Sequence, residues 1–151
     1  MSRQRMHRAK GEEGVALIEF SLVFALFVFI LYALIAFGTA LALKQSVTHA
    51  ATEGARAAVG VVDNPSTTED ERAEQALIEV RDSLNWIGSD KYSDDDVKAE
   101  VVQCGPESPG SSCMKVTITY PYKDKPIVPS APGLGVVMPD TMTSTAVVKV
   151  D

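Results

Sequence analysis

The chain has little of what enzymes and nucleic-acid-binding proteins need. Its 151 residues include two cysteines and two histidines, and the histidines lie far from the cysteines in sequence. These residues leave few ligands for a metal centre. It has no glycine-rich phosphate loop and no nucleophile elbow. Its 14 basic residues face 20 acidic ones, a net charge of −6. Nucleic-acid binding needs clustered lysine and arginine, so we expect no nucleic-acid partner. The missing motifs lead us to expect no cofactor, metal or small-molecule substrate, and no enzymatic activity.

Charge is missing altogether from one stretch. Residues 20–43 contain no charged side chain and are mostly apolar. About 20 helical residues cross a hydrocarbon core of roughly 30 Å, so this stretch is long enough to span a membrane. From residue 44 onward the chain has 10 basic and 17 acidic residues. We therefore predict a basic leader at 1–14, a transmembrane helix at 15–43 and an extracytoplasmic domain at 44–151.

The basic cluster of the sequence lies just before the apolar run. Its members are Arg3, Arg5, Arg8 and Lys10. The positive-inside rule predicts a cytoplasmic N-terminus and a single-pass protein of the plasma (inner) membrane. The alternative is a secretory signal peptide cut after Ala42, because Ala40 and Ala42 satisfy the small-x-small rule. Its apolar core would exceed the roughly 7–15 residues usual for such signals.

Glu19 is the charged side chain inside the run that starts at Gly14. A carboxylate in lipid is costly, so its position needs a reason. One interpretation is a residue at the interface, within reach of water. The other follows from a resemblance to type IV prepilins: a cut after Gly14 would leave Val15 at the new N-terminus and Glu19 as the fifth residue. The carboxylate could then pair with the α-amine of a neighbouring subunit. Gly11, the rival cleavage position, has Ala16 at the fifth place after it.

Helical spacing of small residues continues beyond the apolar run. The stripe comprises Val47, Ala50, Ala51, Gly54, Ala55, Ala58 and Val59. It predicts one helix from about Val15 to Val62. After a break at 63–67, Thr68 and Glu71 form a capping-box pattern for a second helix that ends at Gly88. We expect Gly54, Gly60 and Trp86 to be packing residues.

The remaining sequence predicts strands. Apolar and polar residues alternate around 97–101, 114–120 and 142–150, and the first two segments flank a turn-forming loop between Cys104 and Cys113. An antiparallel hairpin closed by a disulfide suits the oxidising side of a membrane, and two free thiols are the alternative. The fold class is therefore α+β and pilin-like: a long membrane-spanning helix, a second helix and a small antiparallel sheet of about three strands. Such a small core needs the disulfide and the long helix for support.

Two polar groupings resemble sites at first sight. The acidic run 94–96 lacks the spacing, glycine and bidentate glutamate of an EF-hand, so a solvated turn is the interpretation we favour. His49 and Glu53 are four residues apart on one helix face, but nothing nearby supplies a nucleophile.

Several segments together resemble the TadE-like family of pseudopilins from the tight-adherence (Tad/Flp) pilus system. The opening at 14–20 is similar to the family's glycine, apolar residues and Val-Glu-Phe, and 50–58 to its Ala-x-x-Glu-Gly-Ala-Arg-Ala segment. Residues 116–122 and 141–149 also look familial. Ala25 departs from the proline that many members carry. The resemblance implies a minor pilin-like protein, cut by a prepilin peptidase, that assembles with other pilin or pseudopilin subunits.

Three alternatives remain open at this point. They are a type II secretion pseudopilin with the same precursor logic, an uncleaved membrane-anchored binding module, and an extracellular enzyme on a membrane stem. The shared N-terminal plan also leaves a TadE role and a TadF role equally compatible with the sequence.

Overall fold

The structure is a computed structural model that describes residues 12–61, 68–88, 91–106, 110–129, 135 and 138–150. It contains two compact units that divide between Phe37 and Gly38. The predicted α+β class is confirmed, with a long apolar helix, a second helix and an antiparallel sheet. The C-terminal unit begins at Gly38 and takes in Ala40 and Leu43, which are buried in its core. The predicted limits of leader, span and domain remain predictions.

The first helix, α1, runs from Glu12 to Gly60 and confirms the predicted long helix. Among the described residues it is the one helix that is long and apolar enough to cross a membrane. Most of its side chains between Gly14 and Phe37 are exposed, and large apolar ones dominate. This half of α1 is therefore consistent with a single-pass membrane anchor.

The second half of α1 presents small side chains to the core of the C-terminal unit. Its fully buried members are Leu43, Val47, Ala50, Ala51, Ala55 and Ala58. The predicted stripe is thus confirmed, except that Val59 is 43% exposed. Small residues let a neighbouring backbone approach closely, and Gly54 shows it: a Cβ built there would lie 3.0 Å from the carbonyl oxygen of Ala76. A Cβ on Gly60 would meet nothing within 4 Å, so the expectation of close packing at Gly60 is wrong.

The second helix, α2, runs from Glu69 to Leu84 and begins with the predicted capping box. The backbone N–H of Glu71 donates to the Thr68 hydroxyl at 3.3 Å, and the N–H of Thr68 donates to the Glu71 carboxylate at 3.2 Å. A 3₁₀ turn at Asn85–Ile87 follows, and Gly88 ends it with φ of 96°. Trp86 is 59% exposed on this turn. The expectation that it is a packing residue is wrong, because Trp86 lies two positions after the buried Leu84, which places it away from the apolar face of α2.

Three strands follow, β1 (Val97–Gln103), β2 (Ser112–Tyr120) and β3 (Met142–Lys149). Within the described residues they form one antiparallel sheet in the order β1-β2-β3. Its inner face is apolar and covers the core, with rows such as Ala99, Val116 and Ala146 across the three strands. Its outer face is mostly polar, as where Thr117 lies between Lys98 and Thr145. On each of these strands, the apolar residues of the predicted alternation therefore face the core.

The long connection from β2 to β3 is fastened at both ends. The Tyr120 hydroxyl, on a fully buried side chain, donates to the carbonyl of Lys125 at 2.7 Å. The backbone N–H of Lys123 donates to the carbonyl of Asp140 at 3.0 Å, and their side chains form an ion pair at 3.1 Å. Much of the segment between them lies outside the described residues.

Candidate functional site

Gly14, Val15 and Glu19 all lie in the first two turns of α1, on exposed positions. Because α1 begins at Glu12, the bond between Gly14 and Val15 lies in the first helical turn. The first N–H groups of a helix have no partner within it, so this turn is the least costly part of α1 to unwind. A peptidase that binds its substrate extended would therefore meet little resistance here.

The folded chain has no evident use for a glycine at position 14. A Cβ there would meet nothing within 4 Å, and its φ is not positive. This contrasts with Gly54, where packing leaves no room for a side chain. Packing therefore does not explain Gly14, which agrees with a requirement imposed by another molecule, such as a peptidase that accepts small residues.

Glu19 stands among exposed apolar side chains. Its neighbours Ile18 and Phe20 are 69% and 68% exposed, and Phe20 stacks on Phe24 with ring centroids 5.8 Å apart. Among the described residues, none forms a hydrogen bond or ion pair with the Glu19 carboxylate. Glu19 therefore has no neutralising partner among the described residues of its own chain. The basic residues Arg3, Arg5, Arg8 and Lys10 lie outside the described residues, so their part in membrane orientation stays a prediction.

A shallow, open cleft of about 540 Å³ runs along the outer face of α1 in the C-terminal unit. Its lining residues are Lys44, Gln45, Thr48, His49, Thr52, Glu53 and Arg56. The predicted proximity of His49 and Glu53 is confirmed, with Nε2 and Oε1 3.8 Å apart, and Arg56 approaches the same carboxylate at 3.5 Å. The hydroxyls of Thr48 and Thr52 donate to backbone carbonyls one turn earlier. These groups satisfy one another, and the arrangement provides no nucleophile.

The predicted disulfide between Cys104 and Cys113 is present, with Cα atoms 5.2 Å apart. It joins the end of β1 to the start of β2 and closes the hairpin loop. The N–H of Cys104 also donates to the carbonyl of Ser111 at 3.0 Å. Disulfide and hydrogen bond together hold the end of the sheet.

The acidic run at 94–96 is engaged in structural contacts. Asp94 receives a hydrogen bond from Arg81 at 2.7 Å, and Asp96 accepts from the backbone N–H of Ser93 at 2.8 Å. These contacts form a 3₁₀ turn that leads into β1. In the described part of the chain, no group of three histidine, cysteine, aspartate or glutamate residues could hold a metal ion.

A second cleft, of about 450 Å³, lies beside this turn. Ile78, Arg81, Asp82 and Asn85 of α2 line it together with Tyr92 and Asp94. Burial raises the pKa of the Tyr92 phenol; Arg81 opposes this shift and Asp94 adds to it. Arg81 and Asp94 form an ion pair across the cleft, so each charge is already neutralised by the other. These lining residues therefore do not indicate a ligand.

Sequence reasoning missed two cations with structural roles. The side chain of Arg72 is buried and donates from Nη1 to the carbonyl of Ala58 at 3.2 Å, near the C-terminal end of α1. The ammonium of Lys44 donates to the carbonyl of Thr143 at the start of β3. A lone arginine on an apolar helix face was the available signal for Arg72. The Lys44 contact joins residues far apart in sequence, which local patterns cannot reveal.

A comparison with protein families finds a match. The family model described as TadE-like protein matches residues 14–56, from the first turn of α1 to near its end. The chain therefore contains a TadE-like segment, and the predicted resemblance is confirmed over those residues. No curated protein and no solved structure matches the chain. The similarity suggested for 116–122 and 141–149 lies outside the matched segment and stays a prediction.

Proposed function

We propose that this protein is a minor pilin-like subunit, a pseudopilin, that takes part in assembling a Tad-type adhesive pilus. Its role is structural rather than enzymatic. The observation that carries this proposal is the position of the TadE-like match, which begins at Gly14 and includes Glu19. The family segment thus starts at the residue after which a prepilin cut is expected.

The proposed sequence of events begins in the inner membrane. The basic leader holds the N-terminus in the cytoplasm, and the C-terminal unit lies outside. A prepilin peptidase then cuts between Gly14 and Val15, which leaves a free α-amine on Val15. The cut falls in the first turn of α1.

Electrostatics then give Glu19 its function. A charged side chain at the centre of a membrane helix costs about 2.5–3.5 kcal/mol on insertion scales, and Glu19, close to the start of the apolar run, would bear part of that cost. An α-amine of a neighbouring subunit would offset this cost by forming an ion pair in a medium of low dielectric constant. Because the amine appears only after cleavage, subunits would pair only when they are mature. The partners are then the prepilin peptidase and other pilin or pseudopilin subunits.

The decisive experiment identifies the N-terminal residue of the protein recovered from membranes. A mature chain beginning at Val15 supports the proposal. Gly14→Leu should abolish cleavage, whereas the matched variant Gly11→Leu should be cleaved like wild type. Since a side chain at 14 meets open space, failure of the Gly14 variant could not be blamed on misfolding. Recovery of an intact N-terminus from wild type would refute the prepilin role.

A second experiment separates cleavage from assembly. Glu19→Gln keeps the shape of the side chain and removes its charge. We expect normal cleavage with loss of piliation, whereas Ser21→Ala, on the same exposed stretch of α1, should be piliated. Normal piliation of the Glu19 variant would contradict the pairing role. Loss of protein secretion with intact pili would favour a type II secretion pseudopilin.

One observation favours a second candidate, an uncleaved membrane-anchored binding module. Helix α1 runs without a break through the bond between Gly14 and Val15. In that case Glu19 is an interfacial residue whose carboxylate reaches water. The same N-terminal analysis decides between the two, because only this candidate retains Met1 to Gly14.

A further inference from the structure

The outer edge of β3 presents backbone groups that point away from the sheet. In an antiparallel pair, residues bonded to the neighbouring strand alternate with residues whose N–H and C=O point outward. The N–H of Val150 donates to the carbonyl of Ser112 at 3.0 Å, which sets the phase of this alternation. Every second residue before Val150 shares its direction, so the N–H and C=O groups of Val148 and Ala146 point toward β2. Thr145 and Val147 therefore direct their N–H and C=O groups outward.

The opposite edge of the sheet is arranged in the same way. The N–H of Cys104 donates to the carbonyl of Ser111 at 3.0 Å, next to the paired residues Gln103 and Ser112. The same counting along β1 directs the backbone groups of Val97, Ala99 and Val101 away from β2. The N–H of Val97 is taken by the carbonyl of Asp94. The outward groups of this edge are therefore the carbonyl of Val97 and the N–H and C=O groups of Ala99 and Val101.

The β3 edge is open in its middle and cationic at its ends. Thr145 is exposed and Val147 is 55% exposed. Within the residues that the structure describes, no hydrogen bond reaches the outward backbone groups of either residue. Lys44 covers the carbonyl of Thr143 at one end, and Lys149 lies at the other. An open edge of this kind is a template for another strand.

The apolar face is also incomplete at both edges. Ala146 and Val148 on β3, and Ala99 and Val101 on β1, are only half-buried although they pack against the core. Residues of the central strand β2 at the same levels, Met114 and Val116, are fully buried. A strand added at either edge would bury the half-exposed side chains.

We propose that the β3 edge binds the β1 edge of a second copy of this chain, so that the sheet continues from one copy to the next. Both β1 and β3 are antiparallel to β2, so they run in the same direction. A second copy in the same orientation therefore offers its β1 parallel to β3. Such a heterologous contact leaves a free edge on each added copy, so further copies can join in a row. The inference deepens the proposed function and rests on it, because it assumes that all copies are anchored in one membrane in the same orientation.

The register follows from extending the rows of the sheet. Lys98, Thr117 and Thr145 lie side by side across the three strands. Continuing this row beyond β3 places Lys98 of the second copy opposite Thr145. This register sets apolar inner faces side by side. In a parallel pair, a residue bonds to the two residues that flank its neighbour. Thr145 would bond to Val97 and Ala99 of the second copy, whose groups point outward. With Val147 bonding likewise, about four hydrogen bonds form.

Charge is complementary at both ends of this interface. The acidic turn at 94–96 immediately precedes β1, so in the second copy it lies beside Lys44 and the start of β3. At the other end, Lys149 is diagonal to Glu100 of the second copy, a distance that long side chains span. Lys98 of the second copy lies beside the neutral Thr145. Within each chain Asp94 already pairs with Arg81 and Glu100 with Lys115, so the second copy adds lysines beside existing ion pairs at both ends.

Disulfide trapping of the full-length chain in membranes tests this arrangement. Lys98→Cys with Thr145→Cys sets two exposed thiols opposite each other across the proposed interface. Within one chain these positions are two strands apart, about 9.6 Å, which is too far for a disulfide. We expect a ladder of dimers, trimers and larger species after mild oxidation, lost on reduction. The off-register control, Glu100→Cys with Thr143→Cys, displaces one thiol by about 13 Å along the strand.

The outcomes separate this inference from the proposed function. A ladder at least about tenfold stronger in the matched pair than in the control supports the interface, because disulfides form only at short Cα separations. No ladder, or equal ladders, overturns it. Dimers from Thr145→Cys alone would mean β3 pairs with β3, which also overturns it. The N-terminus is read on the same sample: cleaved chains without a ladder reject the interface alone, and uncleaved chains with a ladder reject the prepilin role alone.

Discussion

Gly54 of α1 lies directly against Val80 of α2: a Cβ built on Gly54 would be 2.5 Å from the Cγ2 atom of Val80. The carbonyl oxygen of Ala76 is 3.0 Å from the same point, and Val80 is fully buried. This contact fixes how closely the two helices of the C-terminal unit can approach. Position 54 therefore has to remain a glycine in this packing.

We expect Gly54→Ala to destabilise the C-terminal unit. Alanine gains up to about 1 kcal/mol in helix propensity. Overpacking costs about 1–3 kcal/mol, and the clash wins because valine is stiff at χ1 and the second neighbour is backbone. The thermal unfolding midpoint of the full-length chain in detergent, followed by circular dichroism, measures the effect. Gly60→Ala is the matched control, with a change within about 0.5 kcal/mol. A stabilised Gly54→Ala protein would contradict this packing.

The disulfide should contribute measurably to the same unit. Replacing Cys104 and Cys113 by serine removes the constraint on a loop with eight intervening residues. The chain-entropy relation gives a loss of about 2–3 kcal/mol for a loop of that length. A reductant should lower the unfolding midpoint of wild type and leave the double variant unchanged. Equal midpoints for wild type and variant without reductant would show that the hairpin needs no covalent closure.

The buried Arg72 side chain should stabilise the C-terminal end of α1. No basic residue lies in the last turn of α1, and Arg72 donates to the carbonyl of Ala58 there. A hydrogen bond from a charged group contributes about 1.5–3 kcal/mol, so Arg72→Ala should lower the free energy of unfolding by about 2 kcal/mol. Arg56→Ala, an exposed arginine paired with Glu53, should cost less than about 1 kcal/mol. Equal effects of the two substitutions would refute a special role for Arg72.

The Tyr92 phenol predicts a loss of stability at alkaline pH. Burial is the main cause that raises its pKa above the ordinary value of 10.0. The unfolded chain therefore ionises first, and this contribution to stability is complete below pH 10 and is lost as the pH rises through the higher folded value. Tyrosinate absorbance should show a late-titrating group that is missing in Tyr92→Phe. The variant should also lose stability less steeply above pH 10, and identical slopes would exclude Tyr92 as the cause.

Local patterns were enough to predict most of the secondary structure. The capping box of Thr68 and Glu71 needs only four residues, and strand alternation needs only a period of two, so both survive in the folded chain. Trp86 and Gly60 were assigned wrongly because residue type alone suggested packing, whereas their positions on the helices decide what surrounds them. The elements of the site divide in the same way. Gly14 and Glu19 are recognisable from spacing, whereas Arg72 and Lys44 act on carbonyls that only the fold brings near.

The sequence alone determined the apolar stretch of α1, the order of the elements, the hairpin with its disulfide and the TadE-like opening, because each depends on neighbours within a few residues. The tertiary structure decided that the compact C-terminal unit starts at Gly38, inside the apolar run, because Ala40 and Leu43 are buried in its core. It also decided that Gly54 has no room for a side chain and that Thr145 and Val147 lie on an open edge. These properties depend on contacts between distant segments and on the hydrogen-bond phase of the sheet, which no local pattern encodes.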